Sequence, residues 1–363
     1  METQSEADVG DYLKVFACTA VMLQSILSFI LNSNLTKSTQ ITIGLIFNLV
    51  KFTAPAFIFG ILYTSIRTSQ KQLQFNYHSY LSQQLHNLFI PTILWTCWYL
   101  LVMPQLQQHG QFTNWQTWLK QFFSGNAAPH LWYSCMMLQF IIFYPLFLKL
   151  ITWVNHSSKK CSLVISLAII GQLLWLVIYR QLVFQGNTVS SWYWLDRLGI
   201  SFLIYGILGS LAGHFRQQFS QLIKRFSPVI ILVWIIAYWW INHQLLQYGM
   251  PIKLEHATYY QVSTTLYDLA TICLIALLAF NQISHSRPWL RLIHFLATYA
   301  YRAFLGHIFW LELLWLNLEK IFSKLNPLLN ILILTILTWL LSFACAIMLH
   351  VISQKIKIVL QLN

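Results

Sequence analysis

The sequence predicts an all-α polytopic membrane protein, with about ten transmembrane helices in one bundle and residues 1–363 forming a single integral membrane domain. Three observations carry this. Hydrophobic residues make up 57% of the chain and charged residues only 9%, where an ordinary soluble surface needs about a quarter charged. The 16 Trp, 17 Tyr and 25 Phe exceed what a soluble core uses, and Trp and Tyr gather where apolar and wet surfaces meet. Apolar runs close to the ~20 residues that cross a hydrocarbon layer of about 30 Å recur from end to end.

The first run, near 12–32, follows the acidic start METQSEADVGDY. A signal peptide opens on basic residues, so this run is expected to stay as a span. The second, near 42–66, passes through Lys51 and Pro55, and the third, 86–104, through Pro91. Runs at 131–153 and 162–180 are almost free of charge. The sixth, 198–215, holds Gly199, Gly206, Gly209 and Gly213, and the seventh, 229–246, ends in Trp239, Trp240 and Asn242; these two are the weakest apolar signals. Runs at 259–281, 292–316 and 328–352 complete the ten. In the longest loop, 105–130, Trp115, Trp118, Leu119 and Phe122 repeat at i, i+3, i+4 and i+7, which predicts a short amphipathic helix at the membrane surface.

Twenty-two Lys and Arg against nine Asp and Glu would suggest nucleic acid as partner in a soluble protein. Here topology accounts for the excess, and nucleic acid is excluded as a partner because no basic run interleaves with aromatics. On one side of the predicted bundle lie eleven basic residues: Arg67, Lys71, Lys159, Lys160, Arg216, Lys224, Arg225, Arg287, Arg291, Lys355 and Lys357. The other side has five: Lys37, Lys120, Lys253, Lys320 and Lys324. The positive-inside rule therefore predicts a cell-membrane protein with both termini cytoplasmic and the 105–130 loop outside. The six cysteines lack a CxxC pair and read as core residues. The sequons at Asn34 and Asn155 are short enough to arise by chance.

Ionisable groups inside a span cost several kcal/mol unless paired or hydrated, so each is a functional candidate. Asp11 and Lys14 can pair on one helix face at the membrane boundary. Lys51 can snorkel or pair with Asp268, and Gln24, Gln139 and Gln172 can stitch helices together. Arg302, His307 and Glu312 step by about 140° each, so they cannot share one face. Part of their helix must border a polar cavity, and His307 is expected to share it with Lys14 and Glu312. No GxSxG, HExxH, P-loop or GxGxxG is present, which removes the familiar hydrolase, zinc and nucleotide routes.

Taken in order, several segments resemble acyltransferase family 3, bacterial integral membrane proteins that O-acylate cell-surface polysaccharides. Asp11-Tyr-Leu-Lys14-Val-Phe-Ala17 is similar to the family's opening D-x-L-(R/K)-x-x-A pattern, and Pro55-Ala-Phe-Ile-Phe-Gly60 to its second-span segment. Tyr80 to Trp95 resembles the approach to the third span. His130-Leu-Trp132-Tyr133, with Gln139, Tyr144 and Pro145, resembles the H-L-W-(F/Y) helix and is the most specific match. Tyr299-Ala-Tyr301-Arg-Ala-Phe-Leu-Gly-His307 resembles the late S-(Y/F)-x-I-Y-L-x-H segment.

Two departures stand out. The family's first span carries a basic residue and, eleven positions on, a histidine that assists acyl transfer; here Lys14 is kept and the histidine position is Ser25. Eleven steps bring the two onto one face about 16 Å apart. Serine cannot act as a base, and serves as an acyl carrier only when a neighbour activates it. The R-x-x-R pattern before the third span, suited to gripping phosphate, is here Gln84-Leu-His-Asn87, leaving Arg67, Lys71 or His86 to supply charge.

The resemblance implies a membrane-bound O-acyltransferase moving an acyl group, acetyl in the simplest case, from acyl-CoA as donor to a hydroxyl of an exported polysaccharide or lipid-linked sugar, with no tightly bound cofactor and no metal. Catalytic candidates are His307, Ser25, Lys14 and Glu312; substrate-binding candidates are His130, Trp132, Tyr133 and Arg302. Two alternatives remain from the residues: a transporter or flippase of a surface glycan, and a catalytically silent relative acting as a partner subunit.

Overall fold

A computed structural model describes residues 7–33, 35–70, 75–155, 157–185, 193–322 and 324–361, with side chains described up to 353. The start Met1 to Glu6, the sequon residues Asn34 and His156, and Lys71 lie outside the described residues, as do the side chains of Lys355 and Lys357. Among the described residues every regular element is helical, and no strand occurs. In chain order the helices are α1 (Val9–Leu31), α2 (Lys37–Leu49), α3 (Thr53–Ser69), α4 (Tyr77–Val102), α5 (Trp115–Ser124), α6 (Leu131–Ile142), α7 (Tyr144–Val154), α8 (Ser158–Phe184), α9 (Leu203–His214), α10 (Arg216–Arg225), α11 (Ser227–Gln247), α12 (Val262–Ser284), α13 (Trp289–Phe322) and α14 (Pro327–Gln361).

Each of the ten predicted apolar runs falls mainly on helix, but the count of spans differs. Seven stretches are long and apolar enough to cross a membrane, and eight if α6 and α7, bent by 50° at Phe143, count as one. The sixth run is short: a 3-10 turn at Gly199–Phe202 leads into the twelve residues of α9. The ninth is the 34-residue α13, whose apolar surface is interrupted by Arg302, His307 and Glu312. The predicted second span is two helices, α2 and α3, broken at 50–52. Gln24 of α1 satisfies that break, donating to the Val50 carbonyl at 2.9 Å and accepting from Thr53 at 3.3 Å. Non-helical backbone at membrane depth is tolerated when the protein supplies such partners. The loop helix appears as α5, N-capped by Asn114, with Trp115, Trp118 and Phe122 stacked at 5.3 Å intervals.

The core is built around α1, which packs on α3, α12, α13 and α14. It runs parallel to α13 in a register set by polar contacts spaced seven residues apart on α1 and six, then seven, apart on α13. Asp11 meets His294 at 2.8 Å, Cys18 donates to the Ala300 carbonyl at 3.1 Å, and Ser25 meets His307 at 2.9 Å. Seven-residue steps on a helix keep to one stripe, so these contacts share a seam. On the far side of α3 lies α9. Its Gly209 and Gly213 sit one turn apart against the α3 backbone, where an added Cβ would stand 2.5 Å from the Phe59 carbonyl and 2.6 Å from that of Tyr63. The glycines that weaken the sixth run as a span are what bring this short helix into contact, as small-xxx-small pairs do in membranes. Gly213→Leu is therefore expected to cost at least the 1–3 kcal/mol typical of overpacking, read as a lower unfolding temperature in detergent.

Candidate functional site

Two cavities flank the α1/α13 seam. The smaller, about 350 Å³, opens toward the C-terminal ends of both helices and is lined by Ser25, Lys51, His130, Trp132, Tyr133 and Glu312 among others. The larger, about 630 Å³, lies toward their N-terminal ends, bordered by Lys14, Gln84, Asn87, Tyr301, Arg302 and His350 among others. Phe57 of α3 lines both. Its ring is 5.4 Å from that of Tyr133 and 6.0 Å from that of Phe304, both of which line the smaller cavity.

At the foot of the Ser25 cavity the sequence candidates Ser25 and His307 meet. His307 is fully buried. Its Nδ1 is 2.5 Å from the Phe304 carbonyl, which can only accept, so Nδ1 carries the proton and Nε2 presents a lone pair. That lone pair is 2.9 Å from Ser25 Oγ, and the serine hydroxyl donates to it. The Val21 carbonyl at 3.1 Å is the second acceptor within reach of the same hydroxyl. A second histidine stands beside the first, with ring centroids 4.7 Å apart. His130 Nε2 lies 3.1 Å from the Leu305 carbonyl, so it donates there and its Nδ1 is the lone pair. Among the described residues, buried His130 Nδ1 and the Tyr133 hydroxyl have no hydrogen-bond partner. Leaving such a group unpaired costs about 1–3 kcal/mol, which a bound hydroxyl compound would recover.

Successive carbonyls of α13 thus fix both tautomers. Tyr99 of α4 reinforces this turn, donating to the Leu305 carbonyl at 2.9 Å and accepting from the Phe309 amide at 3.1 Å. Gly306 between them lets Trp95 lie against the helix, where a Cβ would meet the indole at 2.7 Å.

Candidates that the spacing groups together are divided between the cavities. Lys14 does not share a cavity with His307 and Glu312. It sits 3.5 Å from Asp11 and borders the larger cavity with Arg302, whose guanidinium donates to His350 Nδ1 at 2.5 Å. Glu312, His130, Trp132 and Tyr133 line the smaller one with Ser25. The division follows from helix rise: residues 302 and 312 stand about 15 Å apart along α13. Gln84 and Asn87, at the positions of the family's arginine pair, border the Lys14 cavity. Arg67 is 2.8 Å from Asp8 and committed to it, and His86 is not among the cavity's lining residues. Lys51 does not bond Asp268. Its ammonium lies 4.1 Å above the Tyr259 ring and 4.9 Å from that of Phe47, while Asp268 accepts from Tyr205 at 3.2 Å. Gln139 stitches α6 to the loop before α9, accepting from the Gly199 amide at 3.0 Å.

Sequence reasoning passes over Phe57, Tyr99, Phe304 and Tyr259. Phe57 lies inside the quoted Pro55 to Gly60 segment, which could have marked it; a lone tyrosine such as Tyr99 in an apolar run gives no signal.

A family model described as an acyltransferase domain matches residues 11–347. No curated protein and no solved structure matches the chain.

Proposed function

The chain belongs to that acyltransferase family, and from this premise we propose that it moves an acyl group from a cytoplasmic donor to a hydroxyl of an exported surface glycan. The observation that carries the reading is Phe57: one side chain lines both a cavity bordered by Lys14 and Arg302 and a cavity bordered by Ser25, behind which His307 lies buried. A donor thioester enters from the Lys14 side, where cations suit the phosphates of acyl-CoA. An exported polysaccharide or lipid-linked sugar enters from the other side, where Trp132, Tyr133 and Tyr259 offer apolar faces and His130 offers an unfilled lone pair. His307 Nε2 is the base for acyl transfer, because imidazole takes and returns protons near neutrality.

The test compares O-acylation of surface glycans in cells with and without the protein. Loss of the acyl esters on deletion supports the reading, and unchanged esters end it. The uncharged Gln84 and Asn87 at the donor cavity favour a second reading, a silent partner subunit. In that case deletion removes the esters while His307→Gln leaves them in place.

The same reading fixes the topology. A reporter fused after Lys357 is expected in the cytoplasm, and one inserted near Gly110, in the loop carrying α5, outside. The reverse pattern would exchange the donor and acceptor cavities.

A further inference from the structure

We infer that Ser25 is the acyl carrier of this protein, a nucleophile that holds the transferred group as an ester between donor and acceptor. The inference rests on the acyltransferase reading and adds a covalent step to it. Its basis is a hydrogen bond whose direction the neighbouring atoms determine. The Phe304 carbonyl holds the Nδ1 proton of His307, so the nitrogen facing Ser25 is unprotonated, and the serine hydroxyl points its proton at it from 2.9 Å. A nucleophile, a base within hydrogen-bond reach and a third group orienting that base are the three parts of an activated serine. Here the orienting group is a backbone carbonyl in place of a carboxylate. Ser25 also borders the cavity, and the buried imidazole stands directly behind its hydroxyl. An acyl carbonyl that reaches this cavity past the Phe57 ring from the Lys14 side therefore meets the serine oxygen before it meets the histidine.

Two further groups fit the same step. Tyr133, which lines the same cavity and whose buried hydroxyl has no partner, is a candidate donor to the oxygen on which negative charge develops. Lys51, with its ammonium over aromatic rings, adds positive potential to that space.

The chemistry balances within these residues and two substrates. With an acyl thioester as donor, Ser25 Oγ attacks the carbonyl carbon as its proton passes to His307 Nε2. The carbon–sulfur bond breaks, and the departing sulfur takes that proton and leaves as thiol. The acyl group remains as an ester on Oγ. An acceptor hydroxyl then gives its proton to Nε2 as its oxygen attacks the ester carbonyl. The bond to Oγ breaks, and Ser25 recovers the proton. The net change is thioester plus alcohol to ester plus thiol, and the Phe304 carbonyl keeps Nδ1 bound while the ring is positively charged.

Purified full-length protein in lipid nanodiscs, given radiolabelled acetyl-CoA and no acceptor, tests this. The expected result is label that survives denaturation, maps to the α1 peptide containing Ser25, and is discharged by hydroxylamine at alkaline pH. Ser25→Ala should carry no label and lower glycan O-acylation by about 10² or more. Ser25→Cys, which keeps a nucleophile beside His307, should carry label that neutral hydroxylamine removes, as thioesters but not serine esters allow. Native protein that acylates glycans in cells yet never carries label, or carries it on another residue, would overturn the covalent step and leave the acyltransferase reading standing. Full glycan O-acylation by Ser25→Ala would do the same. Neither label nor glycan acylation by native protein would remove both.

Discussion

Replacing His307 with glutamine is expected to lower acyl transfer by about 10² to 10⁴, the usual worth of a positioned acid or base. Glutamine is close in volume and its amide can still meet the Phe304 carbonyl, so the turn held by Tyr99 should survive. What it lacks is a group that takes a proton. Glycan O-acylation measured at equal amounts of inserted protein reads the effect, and an unfolding temperature close to native separates it from misfolding. Activity within a fewfold of native would remove His307 from the chemistry and leave its bond to Ser25 as helix packing.

Phe57→Ala is expected to have the second large effect, and in two forms. Truncating a buried phenylalanine costs about 3–5 kcal/mol, which lowers the unfolding temperature. It also removes the ring that faces Tyr133 and Phe304 between the two cavities. Water from the acceptor side then reaches the donor, and exclusion of water is what prevents loss of a reactive acyl group. Thiol released from acetyl-CoA in the absence of acceptor measures this directly. Release no greater than native would show that the donor is shielded by something other than this ring.

Much of this molecule is legible in its sequence, and the boundary of legibility is physical. Membrane class follows from composition, because apolar runs of about 20 residues are what a helix needs to cross a bilayer. The positions of the ten runs follow from the same constraint, and each falls mainly on helix. What periodicity misses is the difference between an apolar run and a crossing. α9 is apolar and glycine-rich but only twelve residues long, and its place beside α3 depends on backbone contact that no hydropathy pattern records. The break at Val50 to Phe52 is hidden likewise, since its partner Gln24 lies on another helix.

At the site, the 140° steps of Arg302, His307 and Glu312 correctly exclude a shared face. The expectation that Lys14, His307 and Glu312 border one cavity fails because angle carries no information on depth; α13 delivers Arg302 to one space and Glu312 to the other. The loss of the first-span histidine reads from sequence as a loss of base. In the fold, the serine in its place is engaged by a histidine 282 residues later. Such a pairing is visible only when two helices are laid side by side in register.

That separation sets an order of assembly. Ser25 emerges from the ribosome long before His307, and at about 5–20 residues per second the gap lasts roughly 15 to 55 seconds. α1 can meet α3 early, through contacts about fifty residues apart, whereas its seam with α13 waits for nearly the whole polypeptide. Through that interval the nascent chain holds a serine, a cysteine and an acid on a stripe whose α13 partners have not yet been made. The Ser25 and His307 contact is therefore created by the final stages of insertion, and on the proposed mechanism a protein truncated before α13 would lack the base that activates Ser25.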